Sequence, residues 1–395
     1  MQVPEGWEKL SFGEVVSIKT KKFNPKKETM VLPCIELEHI DQETGRLLGS
    51  IPSAQISSMK SMFNRGDVLF GKLRPYLKKF AQPNFDGVCS TEIWVLKNNK
   101  QIEKSYLFYL IQTNRFLYEA NKSTGSKMPR ADWEVVEQHV ICLPPLPEQT
   151  KIAEILSTWD NAITTTEQLL ANSQQQKKAL MQQLLTGKKR LLDDNGVRFS
   201  GEWKWSKIQE VGMVVTGSTP PKSDENNYGG DVLWATAEDF TGKYVSDTKI
   251  KLSDKGSTKA RIVPKGSVLV TCIASIGKNA IANEDMGTNQ QINAVVVSDS
   301  FSNEFFYYQI EFNVNKLISI AGVTAVPIVN KSSFQQVKLI FPVLEEQQKI
   351  AAVLSTADQE ITALQQKLEA LKQEKKALMQ QLLTGKKRVK ITREE

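Results

Sequence analysis

The sequence predicts an α+β fold. Two α/β-type globular domains of the same fold are joined by two long antiparallel coiled-coil helices, with pseudo-twofold symmetry. The first observation is a repeat, since KKALMQQLLTGKKR occurs at 177–190 and again at 375–388. The match extends upstream, and residues 148–190 and 346–388 are identical at 28 of 43 positions. The second observation is that the sequence between the copies differs almost everywhere. An internal repeat of this kind defines the domain organisation.

Length and composition are those of a globular protein with two domains. Each half of about 190 residues is long enough to bury its own core. Hydrophobic residues make up 40% of the chain and charged residues 24%, which is ordinary for folded domains. The net charge of +7 and the pI near 9.0 favour a polyanionic partner, although charge informs association and not fold.

Cysteines and histidines are too few and too scattered to predict a metal site. The four cysteines and two histidines are Cys34, Cys89, Cys142, Cys272, His39 and His139. A structural zinc site needs about four clustered ligands, and the cysteines form no CxxC pair. We interpret them as buried or half-buried thiols in a reducing cytosol.

The sequence also predicts a cytoplasmic protein. The N-terminal stretch MQVPEGWEKL contains no apolar core typical of a secretory signal. Runs of about 18 apolar residues, which a membrane-spanning helix needs, are absent from the sequence.

The two repeated blocks are predicted to be long helices. Residues 148–186 and 346–384 contain neither proline nor glycine, and Gly187 and Gly385 follow them. Glycine relieves the left-handed conformation at a helix C-terminus, and the basic residues after each glycine complement the negative end of the helix dipole. Glu148 lies in the first turn, where a carboxylate is favoured. Each helix would be roughly 58 Å long, or about 17 base pairs of DNA.

A heptad seam indicates that the helices pair as a coiled coil. In the second block the seam residues are Ile361, Leu364, Leu368, Leu371, Lys375, Leu378 and Leu382. The first-block positions are Ile163, Thr166, Leu170, Ser173, Lys177, Leu180 and Leu184. Thr166 and Ser173 weaken the first seam, which could depend on partner subunits for part of its burial. The alternative is that both are simply long helices of a bundle.

The two variable blocks read as one fold with different surfaces. In the first block, residues 15–20, 31–37, 68–70 and 93–96 have strand composition, and residues 106–119 have helical periodicity. The second block repeats this order, because 211–216 corresponds to 15–20 and 305–318 to 106–119. Trp203, Pro327 and the segment 265–269 similarly correspond to Trp7, Pro129 and 65–69.

Basic residues concentrate in loop-like stretches of both blocks. Arg, Lys, Asn and Gln read base edges, and Lys, Ser and Thr bind phosphates. The candidate DNA-binding residues are Lys72, Arg74, Tyr76, Lys78, Lys127, Arg130, Lys259, Arg261, Lys278, Asn279 and Lys331. For any single lysine, a solvated surface charge is the alternative. The best cluster is Lys72-Leu73-Arg74-Pro75-Tyr76.

Catalytic motifs are missing from the sequence. A methyltransferase would show a glycine-rich cofactor turn and an Asn-Pro-Pro-Tyr-like box, and Asn24-Pro25-Lys26 is not such a box. Gly277-Lys278 lacks the upstream glycine of a phosphate-binding loop, and no Pro-Asp…Glu-x-Lys nuclease set is apparent. Neither histidine pairs with a nucleophile at a recognisable spacing. We therefore interpret the chain as a binding subunit and not as an enzyme.

The whole chain resembles the specificity (S) subunit of type I restriction–modification systems, the HsdS-like family. Pro4-Glu5-Gly6-Trp7 resembles the segment that opens a half in that family. LPPLPEQ at 143–149, followed by Lys151-Ile152-Ala153, resembles the entry to its central conserved region. The second copy departs from this pattern, because FPVLEEQ at 341–347 keeps one proline of the pair but lacks the other and the next one. Gly201-Glu202-Trp203 likewise lacks the opening form.

The resemblance implies a domain layout. Residues 1–147 form a first target-recognition domain, 148–186 a conserved spacer helix and 187–199 a linker. Residues 200–345 form a second target-recognition domain, 346–388 the second conserved helix and 389–395 a tail. The residues implied in helix pairing and partner docking are Ile152, Leu156, Ile163, Leu170, Leu180, Leu184, Ile350, Leu354, Ile361, Leu364, Leu368, Leu371, Leu378 and Leu382.

The resemblance also implies a mechanism. Each domain would read one half of a bipartite DNA site, and the helices would fix the spacer between the halves. Two methylase (M) subunits and the restriction (R) subunits would dock on this chain and carry S-adenosylmethionine, ATP and Mg, so that this chain needs no cofactor.

Three other functions compete with this one. The heptads allow a coiled-coil scaffold whose globular ends bind protein. An orphan specificity protein would bind DNA without modification. A nuclease or methylase of unfamiliar motif would act on DNA by itself.

Overall fold

The computed structural model describes residues 3–122, 128–322 and 326–390. The chain divides into two compact units, each consisting of one mixed domain with segments of both long helices. The first unit comprises Met1–Glu167 and Gln366–Glu395, and the second comprises Gln168–Gln365.

The first unit contains eleven strands and four short helices within the described residues, followed by the first long helix. The strands are β1 (Glu8–Ser11), β2 (Val16–Ser17), β3 (Lys22–Phe23), β4 (Pro33–Ile35), β5 (Ile51–Pro52), β6 (Lys60–Phe63), β7 (Val68–Gly71), β8 (Phe80–Ala81), β9 (Gly87–Ser90), β10 (Ile93–Asn98) and β11 (Val140–Leu143). The helices are α1 (Phe12–Val15), α2 (Lys104–Leu110), α3 (Asn114–Ala120), α4 (Trp133–Val136) and the long α5 (Leu146–Leu184).

The second unit also contains eleven strands within the described residues, but it has five short helices in place of four. Its strands are β12 (Lys204–Lys207), β13 (Gly212–Thr216), β14 (Tyr228–Ala235), β15 (Tyr244–Val245), β16 (Lys251–Leu252), β17 (Ile262–Val263), β18 (Val268–Thr271), β19 (Asn279–Ala282), β20 (Met286–Thr288), β21 (Ile292–Val297) and β22 (Lys338–Phe341). Its helices are α6 (Ile208–Val211), α7 (Asp254–Ser257), α8 (Asn303–Phe312), α9 (Val314–Ser319), α10 (Lys331–Gln336) and the long α11 (Leu344–Leu382).

The two domains share one sheet topology. One sheet has the strand order β2-β10-β7-β8 in the first domain and β13-β21-β18-β19-β15 in the second. The other sheet has the order β3-β6-β9-β4-β5 in the first domain and, read from the same edge, β17-β20-β14-β16 in the second. In both domains one central pair of this sheet is parallel, β4 with β9 and β14 with β20. The prediction of one fold in two copies is confirmed, and each domain adds one edge strand of its own.

Each domain is built from three layers around its central sheet. Val68, Leu69 and Phe70 of β7 are all fully buried, because β7 has one core on each face. Val68 and Phe70 pack with Tyr106 and Leu107 of α2. Leu69 packs with the second sheet. A continuous apolar run is the pattern expected of a strand that is covered on both faces.

The predicted short elements are present but differently divided. The helix expected at 106–119 is two helices, α2 and α3, because the Thr113 side chain accepts a hydrogen bond from the backbone of Phe116 and caps a new helix. The helix expected at 305–318 is likewise divided into α8 and α9. The strands expected at 15–20 and 31–37 are shorter, since α1 occupies Phe12–Val15 and only Pro33–Ile35 is extended as β4.

The two long helices have the predicted length of 39 residues, but each begins and ends two residues earlier than predicted. Pro147 therefore lies in the first turn of α5, where proline is tolerated because its missing N–H would have no partner there. Gly187 and Gly385 follow the helices with φ angles of 71° and 69°. These are the left-handed conformations for which glycine was predicted.

The helices run antiparallel within each unit. In the first unit Asp160 of α5 contacts Lys375 of α11, and Glu167 contacts Lys372, so that one residue number rises as the other falls. In the second unit Ser173 contacts Glu360 and Lys177 contacts Asp358. The predicted antiparallel pairing is confirmed in both units.

The predicted seam is turned inward. Buried seam residues are Ile152, Leu156, Ile163, Leu184, Ile350, Leu354, Leu368 and Leu382. Half-buried seam residues are Leu170, Leu180, Ile361, Leu364, Leu371 and Leu378. The polar members Thr166 and Ser173 are also buried, and their hydroxyls donate to the Ala162 carbonyl and to Glu360. Their polar atoms are thus satisfied within this chain. Over the described ranges, no helix is both long and apolar enough to cross a bilayer.

Candidate nucleic-acid interface

A loop that begins with the same backbone hydrogen bonds follows the corresponding strands β7 and β18. In the first domain the Lys72 N–H donates to the Glu92 carbonyl and the Arg74 N–H to the Pro129 carbonyl, at 2.9 and 2.8 Å. In the second domain Cys272 and Ala274 make the equivalent bonds to the carbonyls of Gln291 and Pro327, at 2.7 and 3.1 Å. We call these segments the 72–78 loop and the 272–278 loop.

Both loops pass through a left-handed residue at the same position. Arg74 has a φ of 51° and Ala274 a φ of 62°. A left-handed residue with a Cβ is unfavourable, and here its own N–H and the N–H two residues before it are both bound by backbone carbonyls. The first three residues of the loops therefore share one backbone frame, whereas their side chains differ.

The 72–78 loop presents the best exposed donors of the first domain. Arg74 and Tyr76 are exposed, Tyr76 to 54%, and Lys72 is half-buried. Within the described ranges, no ion pair or hydrogen bond is made by the side chains of these three residues. A free guanidinium on a rigid loop can form two parallel hydrogen bonds to a guanine edge or bind a phosphate.

Two other predicted residues of the first domain already have acidic partners. Lys78 pairs with Glu43 at 2.8 Å. Arg130 pairs with Glu92 through two nitrogens, at 3.0 and 3.3 Å, and this hydrogen bonding raises the pKa of Arg130. Both would have to exchange these partners to bind DNA. Lys127 lies outside the described residues.

The second domain presents a different set of groups. Lys331 is exposed at the start of α10 and has no ion pair within the described ranges. Arg261 is exposed and donates to the Thr216 carbonyl at 2.8 Å, and Lys259 binds Asp224 and Asn227. Lys278 donates to the Ala237 carbonyl at 2.7 Å.

Asn279 is placed differently from the other candidates. It lies in β19 opposite Val270, and its side-chain amide donates to the Tyr307 carbonyl at 2.9 Å. The amide therefore joins β19 to α8 within the domain, which is a structural role.

Where each domain meets the long helices, a buried glutamate forms a clasp. In the first unit Arg388 binds Glu148 through two nitrogens at 2.7 and 2.8 Å, and the Trp7 indole donates to the same carboxylate. In the second unit Arg190 binds Glu346 in the same way at 2.6 and 2.7 Å. Each arginine also lies over a tryptophan ring, Trp7 or Trp203, at 5.8 Å.

A second repeated contact joins three elements in each unit. Asp160 accepts from the Tyr109 hydroxyl at 2.8 Å and pairs with Lys375 at 2.5 Å. Its counterpart Asp358 accepts from Tyr308 at 2.6 Å and pairs with Lys177 at 2.8 Å. Sequence reasoning placed the lysines in the seam but missed the aspartates and tyrosines. The aspartates correspond in the longer match of 148–190 with 346–388, which could have drawn attention to them.

Metal-ligand clusters and thiols are the other groups that could carry chemistry. Within the part of the chain that the structure describes, no three His, Cys, Asp or Glu residues cluster as metal ligands do. Burial raises the pKa of the Cys34 thiol to about 12 and that of Cys272 to about 11. These thiols are therefore neutral and unsuited to nucleophilic attack.

Two copies of one mixed domain, each attached to an antiparallel helix pair by the same clasp and each with a different exposed loop, define a class. It is a duplicated two-domain protein in which the frame is repeated and the exposed loops are not.

The chain belongs to the family of type I restriction–modification DNA specificity proteins. The family's sequence model, the type I restriction modification DNA specificity domain, matches residues 4–172 and 200–373. The MjaVIII specificity subunit of Methanocaldococcus jannaschii is 28% identical over 99% of this chain and 95% of its own length. The MjaIX specificity subunit of the same organism is 34% identical over 40% of this chain, which corresponds to 39% of that protein.

Solved structures show the same fold. The HsdS subunit from Thermoanaerobacter tengcongensis is 24% identical, with a TM-score of 0.53 over 98% of both chains. The S subunit of the type I restriction–modification system of M. genitalium is 11% identical, with a TM-score of 0.60 over 97% of this chain and 98% of its own.

Proposed function

We propose that this chain reads a bipartite DNA site, with one domain on each half-site. The observation that carries the proposal is the shared loop frame with different side chains. Arg74 occupies the left-handed position in one domain and Ala274 occupies it in the other. A constant backbone with variable donors is suited to reading two different base sequences, because base edges are distinguished by the pattern of donors and acceptors.

The chain acts in this proposal without catalysis of its own. M subunits supply methylation with S-adenosylmethionine, and R subunits supply ATP- and Mg-dependent restriction.

The docking surface for the M subunits is proposed to lie on the repeated part of the helices. Seven residues of the first copy are exposed there and identical in the second: Lys178, Ala179, Gln182, Gln183, Thr186, Lys188 and Lys189. Buried residues can be kept alike by packing, but exposed ones have no such reason within the chain. Two equal surfaces fit two copies of one partner. The seam leucines are used in pairing the helices, so their part in docking is indirect.

Methylome sequencing of cells that carry this chain and its M subunits tests the reading of DNA. Two fixed half-sites separated by a spacer of unspecified sequence are expected, and a contiguous site would contradict the proposal. Removal of one heptad from both helices, about 10 Å, should shorten the spacer by about 3 base pairs and leave both half-sites unchanged. Altered half-sites would contradict the idea of a spacing helix.

Native mass spectrometry tests the docking surface. Substitution of Lys178 and Gln182 by glutamate should remove one M subunit, and the same changes at Lys376 and Gln380 should remove the other. Lys367→Glu is the control, because this exposed lysine of α11 corresponds to Leu169 in the other copy. Retention of both subunits by the quadruple variant would place docking elsewhere.

An orphan specificity protein remains the second candidate, since the same domains would bind DNA without M subunits. A chain that footprints on DNA but forms no complex with the neighbouring modification gene product would favour it.

A further inference from the structure

Two lysines interrupt the apolar seam of the long helices. Lys177 and Lys375 occupy seam positions, and their side chains are each only 15% exposed. Burial of a charge opposes folding unless the charge is paired. A polar residue at one seam position of a coiled coil is known to fix register and orientation. The partners of these lysines therefore indicate which register of α5 against α11 is favoured.

Each lysine is paired with an aspartate of the opposite helix. Lys375 of α11 binds Asp160 of α5 at 2.5 Å, and Lys177 of α5 binds Asp358 of α11 at 2.8 Å. A slip of the helices by one heptad, about 10 Å, would separate each lysine from its aspartate and leave both aspartates without this counter-charge. Lys177 also binds Glu311 of α8 at 3.0 Å. The pairs thus select one register in each unit.

A tyrosine of each domain completes the contact. Tyr109 of α2 and Tyr308 of α8 donate to the free oxygen of Asp160 and of Asp358, respectively. Each lysine lies over the ring of the same tyrosine at 5.5 Å. Because the domains are otherwise divergent, the presence of tyrosine in both points to a shared requirement at this contact.

The protonation of the groups suits this arrangement. Burial lowers the pKa of Lys177, but the hydrogen bond to Asp358 and the charge of Glu311 outweigh it, and the net pKa is raised. Burial followed by the neighbouring aspartate raises the pKa of Tyr109, and burial does the same for Tyr308. At neutral pH Lys177 is charged and both hydroxyls retain the proton that they donate.

We propose that the two triads, Tyr109–Asp160–Lys375 and Tyr308–Asp358–Lys177, are positioning residues that determine which spacer length the protein accepts. Each triad links α5, α11 and one recognition domain. The register of the helices and the position of that domain on them are therefore fixed together. This inference depends on the proposed reading of a bipartite site.

The test measures spacer discrimination by the full-length chain in complex with its M subunits. Affinity is compared on DNA with the native spacer and on DNA with a spacer one base pair longer or shorter. The variants are Tyr109→Phe, Tyr308→Phe, their combination, and Lys375→Met with its conservative counterpart Lys375→Arg. Tyr109→Phe removes only one oxygen atom. If Lys375→Met does not fold, Tyr109→Phe therefore provides the test.

Discrimination against the wrong spacer should fall by about ten- to hundredfold in the phenylalanine and methionine variants, the value of a hydrogen bond to a charged group. Affinity for isolated half-sites should stay unchanged, and Lys375→Arg should retain discrimination. Tyr228→Phe is the matched hydroxyl control, because its hydroxyl binds the Pro220 carbonyl inside the domain. Lys367→Met is the lysine control.

Folded variants that keep the native discrimination would overturn the inference, as would an equal loss of affinity on every spacer. A native complex without any spacer preference would instead contradict the proposed function. The two failures are therefore distinguishable.

Discussion

The first and second units agree at the contacts between domain and helices and differ at the exposed loops. The clasp of Arg388 with Glu148 is repeated by Arg190 with Glu346. By contrast, Arg74 of one loop is replaced by Ala274 in the other although both residues have the same left-handed conformation. Under the proposed reading of DNA by the loops, the comparison teaches that attachment and recognition are carried by separate residues. A domain can therefore change the groups that it presents while keeping those that hold it.

Substitution of the clasp arginines should cause the largest losses of stability, and the loss should differ between the two units. Glu148 and Glu346 are both buried, but Glu148 also accepts from Trp7, whereas the buried indole nitrogen of Trp203 has no partner within the described residues. Arg388 is 42% exposed and Arg190 is 18% exposed. Because solvent screens the more exposed Arg388, Arg388→Ala should lower the free energy of unfolding by only about 2 kcal/mol. Arg190→Ala should cost about 3–4 kcal/mol, because it leaves a buried carboxylate without a counter-charge.

Urea denaturation of the full chain measures both clasp variants, with Arg198→Ala as an exposed arginine control. Losses below about 0.5 kcal/mol, the size of a surface pair, would show that the clasps do not hold the domains. A larger loss for Arg388→Ala would reverse the proposed asymmetry.

The next largest effect concerns recognition by the first domain alone. Arg74→Ala should weaken binding to the first half-site by about 1–3 kcal/mol and relax its base preference, with no change at the second half-site. Competition binding on DNA libraries randomised at each half-site measures this. Lys100→Ala, an exposed lysine without an ion pair within the described ranges, is the control. Equal weakening on all DNA would mean that Arg74 contacts phosphate or supports the fold.

Much of the frame could be predicted from the sequence because its signals are local. Both long helices were predicted from the absence of proline and glycine and from Gly187 and Gly385 that follow them. Their pairing was predicted from the heptads. The helix limits moved by two residues, since Pro147 is accepted in a first turn. The common fold of the domains was predictable from the order of their elements.

The candidate interface was less predictable because its contacts are not local. Arg130 is held by Glu92, 38 positions away, and no spacing rule connects the two. Asn279 has the side chain of a base reader but lies in a strand and binds the Tyr307 carbonyl. Tyr109 and Tyr308 stand in divergent blocks, where the repeat gave no sign of them.

The two units should also differ, by a smaller amount, in their stability at acidic pH. Asp67 is buried beside Lys97 and Lys104. Burial raises the pKa of Asp67, but its hydrogen bonds to Lys97, the Asn64 backbone and Lys104 lower it by more. The pKa of Asp67 is therefore below its ordinary value of 3.8. A lowered folded pKa contributes stability above the unfolded value and loses it as pH falls through the folded value. The second domain has Ser267 at this position, whose hydroxyl donates to the Pro264 carbonyl.

Acidification from pH 5 to below about 3 should therefore loosen β7 more than β18. Hydrogen–deuterium exchange of the two strands measures this, and Asp67→Asn should remove the difference. Equal loosening of both strands in the native chain would show that the Asp67 cluster does not set the acid response.

The smallest effect tests the constant backbone of the two loops. A left-handed residue with a Cβ costs about 1 kcal/mol, so that Ala274→Gly should stabilise the chain by about 0.5 kcal/mol after the added freedom of the unfolded chain is subtracted. Arg74→Gly should stabilise it equally, yet weaken binding at the first half-site, whereas Ala274→Gly leaves DNA affinity unchanged because alanine has no side-chain donor. Ala363→Gly in α11 is the opposite control, since glycine inside a helix destabilises by about 1 kcal/mol. Urea denaturation and fluorescence anisotropy on both half-sites separate the two quantities. If Ala274→Gly alters base preference, the backbone of the loop takes part in reading DNA, and attachment and recognition are less separate than the side chains indicate.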